Sequence, residues 1–103
     1  MGYERHHAIV VTTFVDNALL EAHVMARKTF DPSQVSTSVR SVTNGMTSFF
    51  VGPDGSKEGW HESEKGDDRR AAFIRWLDSK RYEDGSSVYD WAEVQYGDGD
   101  GDT

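Results

Sequence analysis

The sequence predicts one α+β domain whose four strands and two helices follow the order βαββαβ. Three observations support this order. Two segments repeat apolar residues at helical spacing, four are rich in β-branched and aromatic residues, and Asn44-Gly45 separates two of these four as a tight turn. Ferredoxin-like folds have this order. Right-handed crossovers would place the strands as 4-1-3-2 in an antiparallel sheet with both helices on one face.

The first strand and the first helix are predicted from the N-terminal third of the chain. The run from His7 to Phe14, HAIVVTTF, is nearly all apolar, as expected of a central strand covered by other structure. Asp16 or Asn17 can cap a helix that continues to about Phe30. The Asp31-Pro32 step ends it, because proline disfavours helical geometry at the preceding residue. The apolar stripe of this helix is Leu19, His23, Ala26 and Phe30.

The second and third strands are predicted as a hairpin. They run from Val35 to Thr43 and from Met46 to Gly52, on either side of the Asn44-Gly45 turn. A two-residue turn would place Val39 opposite Phe50, and Arg40 opposite Phe49. We expect Phe50 to face inward and Phe49 outward, although the alternation by itself permits the reverse.

The second helix and the last strand are predicted from the C-terminal third. Asp67 to Arg81 has helical periodicity, and Tyr89 to Tyr96, YDWAEVQY, alternates as a strand does. Residues 1–97 are expected to form the single domain, and DGDGDT at 98–103 a flexible acidic tail. The apolar face of the helix is Phe73, Ile74 and Leu77. The two faces of the strand are Ala92, Val94 and Tyr96 on one side and Trp91, Glu93 and Gln95 on the other.

Composition excludes several function classes. The 18 acidic and 11 basic side chains give a net charge of -7, which opposes binding to nucleic acid and to anionic membranes. The chain has no cysteine, so disulfides, thiolate metal sites and thiol catalysis are excluded. No run approaches the ~20 apolar residues of a membrane span. We therefore expect a cytoplasmic protein whose partner is neither nucleic acid nor a membrane.

The connection VGPDGSKEGWHESEKGDDRR, residues 51–70, is a candidate ligand site. The predicted topology brings it to the same end of the sheet as the start of the first strand. Cations and an aromatic ring beside a helix N-terminus suit a phosphate or a nucleotide-like anion. The interleaved carboxylates equally allow a solvated loop, and Arg70 can pair with a carboxylate instead of a ligand. The predicted ligand-binding residues are Lys57, Trp60, His61, Arg69, Arg70 and His7.

Catalytic and metal chemistry is the alternative for this end of the sheet. A phosphodiester or nucleotide hydrolase would use His61 as acid and base, and His6, His7 and His61 could together hold a metal. Neighbouring histidines of a strand point to opposite faces, so only one of His6 and His7 can join His61 easily. The sequence contains no nucleophile elbow and no phosphate-binding glycine motif. We expect neither a catalytic residue nor a cofactor.

The uncovered face of the predicted sheet is a candidate interaction surface. Arg40, Phe49 and Trp91 are expected to share it. An RNA-recognition sheet would need the basic and aromatic RNP pattern on its third strand, and GMTSFFVG lacks that pattern. The same face can instead pack against a host protein or a second copy, so an oligomeric interaction module is a further alternative.

Three phrases of the chain resemble a group of small phage-encoded proteins: YERHHAIVVT, NGMTSFFVGPDGSKEGW and YEDGSSVYDWAEVQYGD. The resemblance covers nearly the whole chain. It implies a small accessory protein in an infected bacterial cell, one that blocks a host defence protein or sequesters a phosphorylated nucleotide signal. It implies no site residues. The sequence therefore predicts a phage accessory protein that binds rather than catalyses.

Overall fold

A computed structural model describes residues 5–55 and 61–97, and within them the predicted order βαββαβ is confirmed. The sheet has the order β2-β3-β1-β4 with antiparallel neighbours, which is the predicted arrangement. A short 3-10 helix follows the first helix at Pro32–Gln34. The elements are β1 (Arg5–Thr13), α1 (Asp16–Thr29), β2 (Val39–Arg40), β3 (Thr47–Val51), α2 (His61–Ser79) and β4 (Asp90–Gly97).

Both helices pack on one face of the sheet. Ile9 and Val11 of β1 are fully buried on this face, whereas Val10 between them is exposed on the other. Antiparallel partners share a face, so Val51 and Phe49 of β3 join Ile9 and Val11 in the core. The helices contribute Leu19, Ala22, Ala26, Phe73 and Leu77. The sheet is thus left with one covered face and one open face.

The expectation that Phe49 faces outward is wrong. Phe49 is 2 % exposed and Phe50 is 47 % exposed. Phe49 lies opposite Val11, so the buried row of β1 decides which of the two phenylalanines enters the core. The ring of His23 packs edge-on against Phe49, with centroids 5.1 Å apart.

The hairpin loop is longer than the predicted two-residue turn. Val39 lies opposite Ser48, two residues before the predicted partner, and residues 42–45 form the loop. Asn44 and Gly45 have the positive φ angles expected of turn residues, 69° and 67°. Because side chains alternate with a period of two, this shift changes no side chain's face.

The β2 strand is shorter than the predicted run from Val35 to Thr43. Ser36 lies outside the strand but still pairs with β3. Its backbone N–H donates to the Phe50 carbonyl at 2.9 Å. Its Oγ accepts from the Phe50 N–H at 2.8 Å. A side chain thus replaces one rung of the ladder, and this edge of the sheet ends in an irregular segment.

Within the described residues, neither helix is long and apolar enough to cross a membrane.

Tyr89 connects the segment before β4 to α1. It is 2 % exposed, and its hydroxyl donates to the Ala18 carbonyl at 2.7 Å. Burial, and then the charge of Glu21, raise the pKa of Tyr89 from 10.0 to about 12. The phenol is therefore held in its neutral form by the packing around it.

The raised pKa of Tyr89 predicts a loss of stability at alkaline pH. Below pH 10.0 the phenol is neutral in the folded and unfolded states, so its contribution is fully present. As the pH rises from 10.0 to about 12, only the unfolded chain ionises, and the free energy of unfolding falls. Urea unfolding across this range should show a shallower decline for Tyr89→Phe than for wild type. The matched variant of an exposed tyrosine, Tyr96→Phe, should keep the wild-type slope, and an unchanged slope in Tyr89→Phe would contradict the prediction.

Candidate functional site

A small cleft lies at the end of the sheet where β1 begins, as the topology predicted for the connection after β3. Residues of α2, the 3-10 helix, β1, the end of β3 and the segment after it line the cleft, together with Phe30, which follows α1. Its interior has room for about one water molecule. The polar side chains that line it belong to His7, Gln34, Asp54, Arg69 and Arg70.

Arg70 is the central charge of this cleft. Its side chain is 12 % exposed, and its Nε lies 3.2 Å from Oε2 of Glu93 in β4. Its Nη2 also donates to Oδ1 of Asp67, one turn earlier in α2. His7 completes the group, with Nδ1 3.9 Å from the same Glu93 oxygen. Of the two interpretations of Arg70, pairing with carboxylates is the one observed.

Gly66 allows the loop after β3 to approach α2 closely. A Cβ on Gly66 would lie 2.6 Å from Oδ2 of Asp54 and 3.3 Å from Nη1 of Arg70. Any other residue would therefore push the Asp54 carboxylate away from the helix. A glycine inside a helix costs about 1 kcal/mol relative to alanine, so this glycine was the available signal of a close approach. The sequence interpretation missed Gly66, Asp54 and Glu93.

The remaining predicted ligand-binding residues have different outcomes. Lys57 and Trp60 lie outside the described residues. His61 is the first residue of α2, and its side chain also lies outside the description. Arg69 is exposed at the rim of the cleft. Hydrogen bonds from Ser33 and, more weakly, the positive charge of Arg69 lower the pKa of Asp31. Arg69 therefore contributes to the electrostatic potential at the Asp31 carboxylate.

The α2 helix begins at His61 rather than at the predicted Asp67. Its first turns carry no apolar residues, so they have none of the periodicity on which the prediction relied. Gly66, Asp67 and Arg70 therefore lie inside the helix rather than at its N-terminus. The free backbone amides expected beside Arg69 and Arg70 are accordingly engaged in helical hydrogen bonds.

The two adjacent histidines of β1 point to opposite faces, as predicted. His7 approaches Glu93 on the covered face, whereas His6 packs against Tyr96 on the open face, with ring centroids 5.3 Å apart. In the described part of the chain, no three His, Asp or Glu side chains are grouped closely enough to hold a metal ion.

The predicted interaction surface of Arg40, Phe49 and Trp91 is on the wrong face. Phe49 and Trp91 both lie opposite Val11, and Arg40 lies opposite Thr47, so the three residues share a face as expected. That face is the one covered by the helices. Phe49 is in the core, and Arg40 reaches the start of α1, where its Nη1 lies 3.7 Å from an Asp16 oxygen.

The open face carries a different apolar surface. Val10 of β1 lies opposite both Phe50 of β3 and Ala92 of β4, which forms a row across three strands. The large apolar side chains of this face, among them Val10 and Phe50, are exposed to solvent. Among the described side chains on it, Asp90 alone carries a formal charge. The side chains of the open face are His6, Ala8, Val10, Thr12, Val39, Ser48, Phe50, Asp90, Ala92, Val94 and Tyr96.

Comparison with known proteins gives no match: no protein-family model, no curated protein and no solved structure matches this chain.

Proposed function

We propose that this chain is a non-catalytic binding protein that engages a partner protein through the open face of its sheet. The observation that carries the proposal is the exposed apolar row of Phe50, Val10 and Ala92, continued by Val94 and Tyr96. A large contiguous apolar patch on the surface of a soluble protein often marks a protein–protein interaction site.

Charge defines the partner's chemistry. The chain has a net charge of -7, and Asp90 alone is charged among the described side chains of the open face. Three further aspartates follow β4 in the sequence, in the GDGDGDT run. An acidic surround favours encounter with a basic partner and opposes an acidic one. The expected partner surface therefore has an apolar centre and a basic rim. The resemblance to phage-encoded proteins favours a host defence protein of the infected bacterium.

The cleft supports the alternative, a phosphorylated small molecule, less well. His7, Arg69 and Arg70 do line one site, but two carboxylates already occupy the guanidinium of Arg70. A phosphate would have to displace one of them, and the interior takes about one water molecule. Hydrolysis by His61 has no described geometry to support it.

The test compares Phe50→Ser, on the open face, with Leu20→Ser, which removes an exposed leucine of α1. Tagged wild type and both variants are used to capture proteins from the bacterial host, and each candidate is then purified and titrated by calorimetry. Phe50→Ser should weaken binding about tenfold or more, because a central apolar contact carries much of an interface's energy. Leu20→Ser should bind as wild type does, and added salt should weaken all three.

Circular dichroism checks that both variants keep the fold. A purified partner that binds Phe50→Ser as tightly as wild type would contradict the open face as the interface. Binding that strengthens with salt would contradict the basic rim.

A further inference from the structure

The two edges of the sheet are protected very differently. At one edge β2 is only two residues long. At the other, β4 runs for eight residues in continuous register with β1, from Asp90 opposite Thr12 to Gly97 opposite Arg5. Natural sheets blunt an edge with proline, charged side chains, a bulge or a short strand. β4 has no proline, lysine or bulge, its inward-facing Glu93 is paired with Arg70, and no described residue pairs with its outer side.

We propose that β4 is the interface to a second copy of this chain, in which two β4 strands pair antiparallel about a two-fold axis at Val94. The two sheets then form one continuous sheet. This proposal is independent of the partner-binding function, because it uses the edge of the sheet rather than its open face.

Several registers keep the helix-covered faces of both sheets on the same side of the combined sheet. Among these, the sequence of β4 favours the one with its axis at Val94. An axis at Glu93 would place two carboxylates directly opposite each other, which is destabilising. An axis at Ala92 or Gln95 would leave a shorter paired segment within the strand. An axis at Val94 pairs everything from Trp91 to Gly97 without opposing like charges.

The resulting cross-strand pairs are chemically compatible. Val94 lies opposite itself, Glu93 lies opposite Gln95, and Ala92 lies opposite Tyr96. Trp91 lies opposite Gly97, where the indole can cover a residue with no side chain. Every side chain of β4 is exposed in the single chain, so pairing removes apolar surface from water as well as satisfying backbone groups.

Cross-linking tests the register. The chain has no cysteine, so Val94→Cys introduces the only thiol. With the axis at Val94 the two thiols face each other at about 5 Å between Cβ atoms, and mild oxidation should convert most of the protein to a covalent dimer. Ala92→Cys should stay largely monomeric under the same conditions, because its thiols lie opposite tyrosine. Equal cross-linking of the two variants would overturn the register.

Introducing charges of opposite sign at one position, Gln95, tests the interface itself. Gln95→Lys places a cation opposite Glu93 in two symmetric pairs, whereas Gln95→Glu places like charges there. Sedimentation at several concentrations should show the dimer dissociation constant falling about fivefold for Gln95→Lys and rising about fivefold for Gln95→Glu. Thr37→Lys and Thr37→Glu make the same changes in net charge at an exposed site before β2, and should not reproduce these shifts.

A wild-type chain that stays monomeric at about 1 mM, a concentration at which even weak pairing is populated, would overturn the proposal. Matching shifts in the Gln95 and Thr37 variants would also overturn it. A monomer that still loses its protein partner on Phe50→Ser leaves the proposed function standing, so the two failures are distinguishable.

Discussion

Replacing Phe73 with alanine is expected to lower the free energy of unfolding by about 3 to 5 kcal/mol. Phe73 is 1 % exposed and lies where both helices meet the sheet. Its ring contacts Phe30 edge-on at 5.6 Å and stacks on Trp76 at 6.2 Å, so truncation removes two aromatic contacts and leaves a cavity. Native domains are stable by only about 5 to 15 kcal/mol in total, so this loss is a large share of what keeps the domain folded.

Urea unfolding followed by circular dichroism measures this effect. Leu20→Ala is the control, because Leu20 is an exposed apolar residue of α1. Its substitution should change the free energy of unfolding by less than about 0.5 kcal/mol. Equal midpoints for the two variants would contradict the assignment of Phe73 to the core.

Replacing Glu93 with glutamine is expected to cost about 2 kcal/mol. The change leaves the guanidinium of Arg70, 12 % exposed, with one of its two described carboxylate partners. Breaking a fully buried pair costs roughly 3 to 5 kcal/mol, and the partial exposure of Glu93 reduces that figure. The removed charge also faces His7, which loses its nearest described carboxylate at 3.9 Å.

A double-mutant cycle separates this pairing from general effects. Arg70→Met should be destabilising alone, but Glu93→Gln should cost little more in its presence, because the two residues act as a unit. Glu21→Gln is the matched control, since Glu21 forms an exposed ion pair with Lys80 at 3.8 Å. Additive effects of Arg70→Met and Glu93→Gln would contradict the coupling.

The order of the elements was predictable because it depends on local periodicity. The side of β3 that faces the core was not. Phe49 and Phe50 are equally apolar, and β1 is apolar on both faces, so alternation gave no preference. Only the pairing of Phe49 with Val11 beneath the helices resolves it. The interaction surface predicted around Phe49 failed for the same reason.

The location of the cleft followed from topology, whereas its partners did not. Arg70 was identified from its angle on the second helix. Its partner Glu93 lies on a different element, and nothing in the local sequence connects the two. The start of α2 was misplaced because its first turns are polar on all sides. Periodicity therefore cannot locate contacts between distant segments. It also cannot locate helix turns that have no apolar face.

The position of β1 between β3 and β4 has a consequence for how the chain folds during synthesis. The first neighbour of β1 is complete once residue 51 has emerged, but the second is formed by residues 90–97. One side of the central strand therefore has no β4 to pair with while about 40 further residues are synthesised, at some 5 to 20 residues per second. Pairing β4 with β1 closes a long loop, which carries an entropic cost. Ribosome-bound chains that end before β4 would accordingly present the side of β1 that the finished domain conceals.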